Sequence, residues 1–392
     1  MERPGGLGPR RPESEGLLKF LKLALVPFAF LAVGLIRLLS RFGILIRFGE
    51  FWSARVGHLA GNTECYLCER DEGMHKGFDI WTHRGLISNK YLGKMLKRCM
   101  LVDTTRFSLL VMLINQMFEG WEKHTVGPQQ YDRDIGGLFL KHPPHLKFTK
   151  AEERLGLETL GKWGIPEDAK IVCLIVRDGA YLPHLSYHAL RDSDIKDYRV
   201  AILELVRRGY YVFRMGAAVK KPLLLKHSKV FDYATNGMRS EFMDIYLGSK
   251  CEFCISTGTG FDAIPYVFRR PVCYVNFTQV EYLFTFTKSL AIFKHHHKDG
   301  KRMTLQEIWD SGCGQFMGEA NFKEAGISVE NNTPDEIADV VREMVDWVEG
   351  GLQDKQDIFW HNFPRSVSPY NGKPLHGDIR MRIGEKFLEG YQ

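Results

Sequence analysis

Ser256-Thr257-Gly258-Thr259-Gly260 places three hydroxyls and two glycines in five residues, between the apolar run CEFCI and the segment FDAIPYVF. At a strand-to-helix junction such a turn lets backbone N–H groups approach an anion, with the helix dipole adding favourable potential. No lysine follows Gly260 and the spacing is not G-x-G-x-x-G, so neither a Walker loop nor a dinucleotide fingerprint is present. An ordinary tight turn is the competing reading. Arg177 and Asp178 follow the apolar run IVCLIV, and a strand-end arginine suits bidentate pairing with phosphate; its alternative is an interdomain salt bridge. Tyr187–Asp194 (YHALRDSD) concentrates His188, Arg191, Asp192, Ser193 and Asp194 before a helix, more charge than an N-cap alone requires. Arg214 and Gly216 follow the run YYVF, Asn276 follows VCYV, and Arg55, Gly57 and His58 follow the first strand of the N-terminal half.

Other chemistry is thinly represented. Cys65/Cys68 and Cys251/Cys254 have the spacing of metal knuckles, but the first pair lies in a helical pattern and the second along a strand, where i and i+3 face opposite ways. His295–His297, between two lysines, reads as a solvated loop. No Cys–His pair suggests a thiol nucleophile. No metal and no cofactor are expected.

The elements that would position these residues follow an α/β rhythm. In the N-terminal half, Ile44–Phe48 and Phe78–Trp81 read as strands, with helices over His58–Cys68 and Ser88–Met100. In the C-terminal half, strands are expected at Ile171–Val176, Tyr210–Arg214, Lys229–Phe231, Cys251–Ile255 and Val272–Asn276. Helices are expected at Asp194–Arg208, Ser240–Gly248 and Pro334–Glu349, with a helix or turn at Phe261–Phe268. Strands separated by helices at this spacing predict two doubly wound, Rossmann-like domains facing a cleft, with ligands at the carboxyl ends of the strands. The expected boundaries are 1–41 (tail and membrane-associated helix), 42–150, a linker at 151–168 rich in turns around a short helix, 169–350, and a C-terminal segment 351–392 crossing back over the first domain.

The composition agrees with this frame. At 392 residues, 44% hydrophobic and 26% charged, the chain is globular and long enough for two domains. Eight cysteines are too few for a disulfide scaffold and lie mostly in apolar runs, which suggests reduced thiols and a cytoplasmic working face. The net charge of +6 is concentrated: residues 1–55 hold nine basic and four acidic side chains. A nucleic-acid binder would spread a basic stripe over its folded body, so nucleic acid is not an expected partner.

The same N-terminal segment is apolar. Leu23–Ile36 carries no charge, and its 14 residues reach about 21 Å as a helix, short of a ~30 Å hydrocarbon core. Leu17–Leu39 would reach it with Lys19, Lys22 and Arg37 snorkelling. A spanning helix, a re-entrant or in-plane helix, a signal peptide and a buried core helix all compete. The in-plane reading is favoured by Pro27 and by basic residues on both flanks.

Several blocks together resemble a bacterial family of surface-carbohydrate glycosyltransferases: RVGHLAGNTECYL, VRDGAYL, YHxxRDSDI, GYYVFRMG, STGTGFDAIPYVFRRPVCYVN and HGDIRMRIGEKFL, covering nearly everything from Gly43 to Leu388. More distantly, Val176-Arg177 and Phe242–Ile245 followed by Cys254–Thr257 resemble the GT-B fucosyltransferases of the α1,6 and nodulation type. That likeness implies Arg177 on a diphosphate, Asp244 near the base, and Ser256 and Thr257 lining the nucleotide. The family's paired Arg-Arg is here Arg177-Asp178.

Together the motifs and the resemblance imply a membrane-associated GT-B glycosyltransferase acting in surface polysaccharide (lipopolysaccharide-type) biosynthesis. Its partners would be a nucleotide-sugar donor in the C-terminal domain, a glycan or lipid-linked acceptor in the N-terminal one, and the membrane. The expected donor-binding residues are Arg177, His188, Arg191, Ser193, Asp194, Arg214, Gly216, Asp244, Ser256, Thr257, Gly258, Thr259, Gly260 and Asn276. Asp178, His58 and Glu64 are the candidates for taking the acceptor's proton. A tethered nucleotide-binding scaffold and another sugar-phosphate transferase are the alternatives.

Overall fold

A computed structural model of the chain describes residues 12–83, 85–126, 133–180, 186–350, 357–368 and 372–391. It is a mixed α/β protein built on parallel sheets. Helix α1 (Pro12–Arg41) runs continuously through Pro27. Strands β1 (Ile46–Phe51), β2 (Phe78–His83) and β3 (Leu101–Asp103) form a three-stranded sheet in that order, paired in parallel so that Phe51 lies beside His83 and Thr82 beside Asp103. Between them run α2 (Val56–Asp71) and α3 (Lys90–Cys99), the latter started by Asn89, whose side chain accepts from Leu92 N at 2.8 Å. α4 (Phe107–Asn115) follows β3, and a short α5 (Leu138–Lys141) comes next.

α6 (Lys150–Lys162) occupies most of the stretch read as a linker. Its capping box, Thr149 with Glu152, fixes the start, and Glu152 also takes Arg98 at 2.9 Å and Lys94 at 3.1 Å from α3. Those bonds hold the segment to the body of the protein.

The main sheet has seven strands: β4 (Ile171–Ile175), β5 (Tyr211–Met215), β6 (Val230–Phe231), β7 (Phe253–Ser256), β8 (Val272–Phe277), β9 (Ser289–Phe293) and β13 (Met381–Ile383). All pairs are parallel, in the order β13-β9-β8-β7-β4-β5-β6. The C-terminal segment therefore supplies an edge strand of this sheet, followed by a short helix (Glu385–Glu389), and before it Gly377 presses on the backbone of Ile135. Alternation along β4 explains the layers. Val172 and Leu174 join a core with α7 (Arg199–Arg207), while Ile171, Cys173 and Ile175 join another with α6 and α8 (Glu241–Lys250). The segment Asp194–Arg208 begins as a 3₁₀ turn at Ile195–Tyr198 before α7.

Beyond β7 a 3₁₀ turn (Gly260–Asp262) leads into α9 (Ala263–Val267). After β9 comes a small antiparallel sheet, β11-β10-β12, made of β10 (His295–Lys298), β11 (Lys301–Arg302) and β12 (Ile327–Glu330). The histidine run is thus a strand, not a solvated loop: His295 and His296 are buried, and burial pushes His296 down to about 4. α10 (Leu305–Asp310) and α11 (Glu319–Glu324) lie between β11 and β12. α12 (Pro334–Val348), capped by Thr333 and Glu336 with Pro334 in its first turn, covers the sheet beside α7.

The two halves are not parted where α2 meets the C-terminal half. One apolar core runs from Leu59, Tyr66 and Trp81 into Ile264, Tyr266 and Phe286. The face of α2 that makes this contact is Gly57, Gly61, Glu64 and Cys68, spaced four, three and four residues apart. Gly57 backs onto Gly260, Gly61 onto the Tyr266 hydroxyl, and Glu64 and Cys68 onto Arg269. An open cleft is absent from this line of contact.

Candidate functional site

The chain order of the large sheet reverses between β4 and β7: β5 and β6 lie to one side of β4, while β7, β8 and β9 lie to the other. Loops leaving adjacent strands at such a point diverge to opposite faces and leave room at the carboxyl edge. Arg177 leaves β4 there and Thr257 leaves β7. The Arg177 amide N–H donates to Thr257 Oγ1 at 3.1 Å, so the two motifs singled out in the sequence do meet.

Charge collects around this junction. Arg177 Nε stands 3.0 Å from Asp192 Oδ1, and the Arg177 carbonyl accepts from Ser193 N at 2.9 Å. Arg191 Nη1 donates to Gly258 O at 3.0 Å. Lys294, at the end of β9 and only 4% exposed, donates to Asp192 O at 2.9 Å. Burial pushes the Lys294 ammonium down to about 8, against the pull of Asp192. Asp192 itself is pushed up by burial, opposed by Arg177 and Lys220. A Cβ on Gly179 would lie 2.8 Å from Asp192 Oδ2 and 3.3 Å from Lys220 Nζ, which places that lysine in the same group. Three cations, Arg177, Lys220 and Lys294, thus act on Asp192, while Arg191 is bound to the 256–260 turn. Lys220 and Lys294 carry no motif and escape sequence reading; the signal for Lys294 is its place directly after the apolar run SLAIF.

The 256–260 turn is held differently from the anion cradle expected. Ser256 Oγ donates to Asp262 Oδ1 at 2.6 Å and accepts from Gly258 N at 3.1 Å. Thr259 N and Oγ1 reach the same Asp262 oxygen at 3.1 and 2.9 Å. The amides of Gly258 and Thr259 are therefore consumed by the turn's own side chains. Ser256 and Thr257 are fully buried. Gly258 has φ +74°, which a glycine adopts without cost, and Gly260 is needed for the contact with Gly57. Asp262, which organises all of this, is pushed up to about 6 by burial despite those bonds. An anion at this turn would have to be met by side chains, not by the Gly258 and Thr259 amides.

Several expected ligands hold the structure together. Asn276 (φ 53°) exchanges bonds with Asn332 at 2.7 and 2.6 Å and donates to Ser193 Oγ at 3.0 Å and Tyr198 Oη at 3.2 Å. This buried knot occupies both Asn276 and Ser193. Asp194 caps the 3₁₀ turn through Lys196 N at 3.1 Å and pairs with Lys221 at 2.6 Å, which holds its carboxyl low. Arg214 is 1% exposed, bound to Asp232 at 3.1 Å and to Lys221 O at 3.1 Å. With Gly216 (φ +152°) it shapes the loop that carries Lys220. Asp244 accepts from Tyr233 Oη at 3.1 Å and Arg239 at 2.7 Å; burial pushes it up, against Arg239. The His188 side chain lies outside the described residues.

The three base candidates separate clearly. The Asp178 carboxylate accepts from Lys220 N at 2.6 Å and Ala180 N at 3.2 Å, so it organises its own loop. Glu64 is 2% exposed and bound by Arg269 at 2.7 Å and His145 at 3.2 Å. His58 sits half-buried on the first turn of α2, beside the residue that touches Gly260. Its Nδ1 lies 3.3 Å from Asn62 Oδ1, and its ring meets Trp52 edge-on at 4.9 Å. Glu64, Cys68 and His145 bring ligand atoms within 4.8 Å of one another, but the Arg269 guanidinium already supplies the positive charge there, 3.7 Å from Cys68 Sγ. Burial and Glu64 push that thiol up to about 12.

No protein-family model matches the chain, and no curated protein matches it. Among solved structures, a glycosyl transferase family 9 protein from Veillonella parvula DSM 2008 aligns at TM-score 0.43 and 8% identity, over 77% of this chain and 97% of that one. The E. coli ADP-heptose LPS heptosyltransferase II aligns at TM-score 0.40 and 14% identity, over 78% of this chain and all of the other. The dodecameric iron-containing heptosyltransferase TibC aligns at TM-score 0.38 and 10% identity, over 77% and 78% of the two chains.

Proposed function

We propose that this protein is a glycosyltransferase of the GT-B type, transferring a sugar from a nucleotide-sugar donor to a glycan or lipid-linked acceptor of a surface polysaccharide. The observation that carries the reading is the convergence of Arg177, Arg191, Lys220 and Lys294 on the β4/β7 switch point. A leaving nucleoside diphosphate gains negative charge as the glycosidic bond breaks, and cations held in place before the reaction stabilise that charge without reorganising. The motif resemblance described above points to the same chemistry. In this reading 169–350 holds the donor, and 42–150 presents the acceptor. His58, half-buried on the first turn of α2 beside the Gly57–Gly260 contact, is the group assigned to take the acceptor proton. The eight free thiols, seven of them buried, suit a reducing, cytoplasmic compartment.

Calorimetry with ADP, GDP, UDP and CDP tests the site: one should bind, and Arg177→Ala should abolish that binding. Release of the matching diphosphate from its sugar conjugate, dependent on an acceptor glycan, tests the transfer. Binding without acceptor-dependent release would reduce the protein to a nucleotide-binding scaffold, and no binding at all would remove the proposal.

A further inference from the structure

Helix α1 has two apolar faces. Ala29, Val33 and Ile36, spaced four and three apart, are buried against Val111 and Ile114 of α4 and Phe48 of β1. At about 100° per residue the opposite face presents Leu31, Leu35, Leu38 and Phe42. Leu31 and Phe42 are 71% and 75% exposed. A helix apolar all round is ordinarily enclosed on all sides, by protein or by lipid, and protein covers one side of this one. The uncovered surface continues onto the end of α4, where Phe30 meets Phe118 edge-on at 6.3 Å and Met117 stands 71% exposed.

The rim is basic. Arg41 is exposed beside Phe42, and Arg37 lies over Phe118 at 5.2 Å while donating to Glu119 O at 2.9 Å. Such a rim is complementary to anionic headgroups, whereas a second copy of the chain would bring like charge against it. We propose that the outer face of α1, with the Met117–Phe118 corner, lies in the plane of an anionic lipid surface and does not cross the bilayer. The apolar window Ala24–Arg41 is about 27 Å long, and its middle is the part packed on β1 and α4. A crossing helix would carry β1, with the Arg47–Asp79 ion pair, to the hydrocarbon centre, where charge is costly. The inference is independent of the transferase reading and uses none of its donor-site or proton-accepting residues.

The test uses the full chain with an N-terminal epitope tag, diluted from detergent into sealed vesicles. It should float with phosphatidylcholine–phosphatidylglycerol vesicles and about tenfold less well with phosphatidylcholine alone. Leu31→Gln/Leu35→Gln/Leu38→Gln should lower the partition coefficient by about 10²-fold with an unchanged circular dichroism spectrum, since the three side chains support no core. Protease added outside should remove the tag. A protected tag would establish a spanning helix and overturn the proposal. Equal flotation of the triple variant would overturn it too. So would a wild-type dimer that ignores vesicles and becomes monomeric in the triple variant, because the face would then belong to a second copy.

Discussion

Gly57 on α2 and Gly260 at the end of the 256–260 turn touch backbone to backbone: a Cβ on Gly57 would stand 2.8 Å from Gly260 Cα and 2.9 Å from its carbonyl oxygen. Neither atom belongs to a flexible side chain that could swing aside. Two effects oppose each other in Gly57→Ala. Helix propensity favours alanine by about 1 kcal/mol, while overpacking at a rigid contact costs about 1–3 kcal/mol. The clash should win, and chemical denaturation should show a lower midpoint. A raised midpoint would mean that α2 and the turn do not meet.

Arg177→Ala should lower acceptor-dependent diphosphate release by about 10²–10³ and leave the unfolding midpoint nearly unchanged. Its ion pair with the partly exposed Asp192 is worth on the order of 1 kcal/mol. Stopped-assay turnover and thermal unfolding of the same preparation check both halves. Loss of stability with intact nucleotide binding would make Arg177 structural.

Lys294 supplies a pH test. Its ammonium is pushed down to about 8 in the fold by burial, below its ordinary 10.5. Between those values the unfolded chain binds the proton and the folded chain does not, so unfolding takes up a proton and stability rises with pH through that window. The penalty present below pH 8, on the order of 3 kcal/mol, should be relieved by pH 10.5. Urea titrations from pH 7 to 10.5 should show this rise in the native protein and a flatter profile in Lys294→Met. Diphosphate affinity should fall over the same rise in the native protein, because the site loses a cation.

The sequence signals that succeeded were local. The run IVCLIV followed by Arg177, and CEFCI followed by STGTG, announce two strand ends, and the structure joins them at 3.1 Å. What failed was partner choice. The amides of Gly258 and Thr259 read as an anion cradle, but Ser256 takes the first and Asp262 the second, and a Ser-to-Asp bond six residues apart has no periodic signature. The histidine run read as polar because its neighbours are lysines. It became a buried strand only through β12, some 30 residues later. Asn276 sat at a strand end like a ligand, yet its partner Asn332 lies 56 residues on.

Glu64 allows a catalytic role and a structural one to be separated in one variant. Arg269, held at φ 63°, donates to Phe139 O at 2.8 Å, His142 O at 3.0 Å and Val267 O at 2.6 Å, and brings its remaining charge to Glu64 at 2.7 Å. Three of these contacts reach the N-terminal half, so the guanidinium ties the two sheets together. Glu64→Gln keeps the shape and removes the charge, leaving a largely buried guanidinium without its carboxylate. Breaking a buried pair from one side costs about 3–5 kcal/mol. Thermal unfolding should therefore drop sharply, and Arg269→Met added to Glu64→Gln should recover part of the loss because both charges are then gone. A general base would behave in the opposite way. Glu64→Gln would then unfold like the native protein, and turnover alone would collapse, with no rescue from the second substitution.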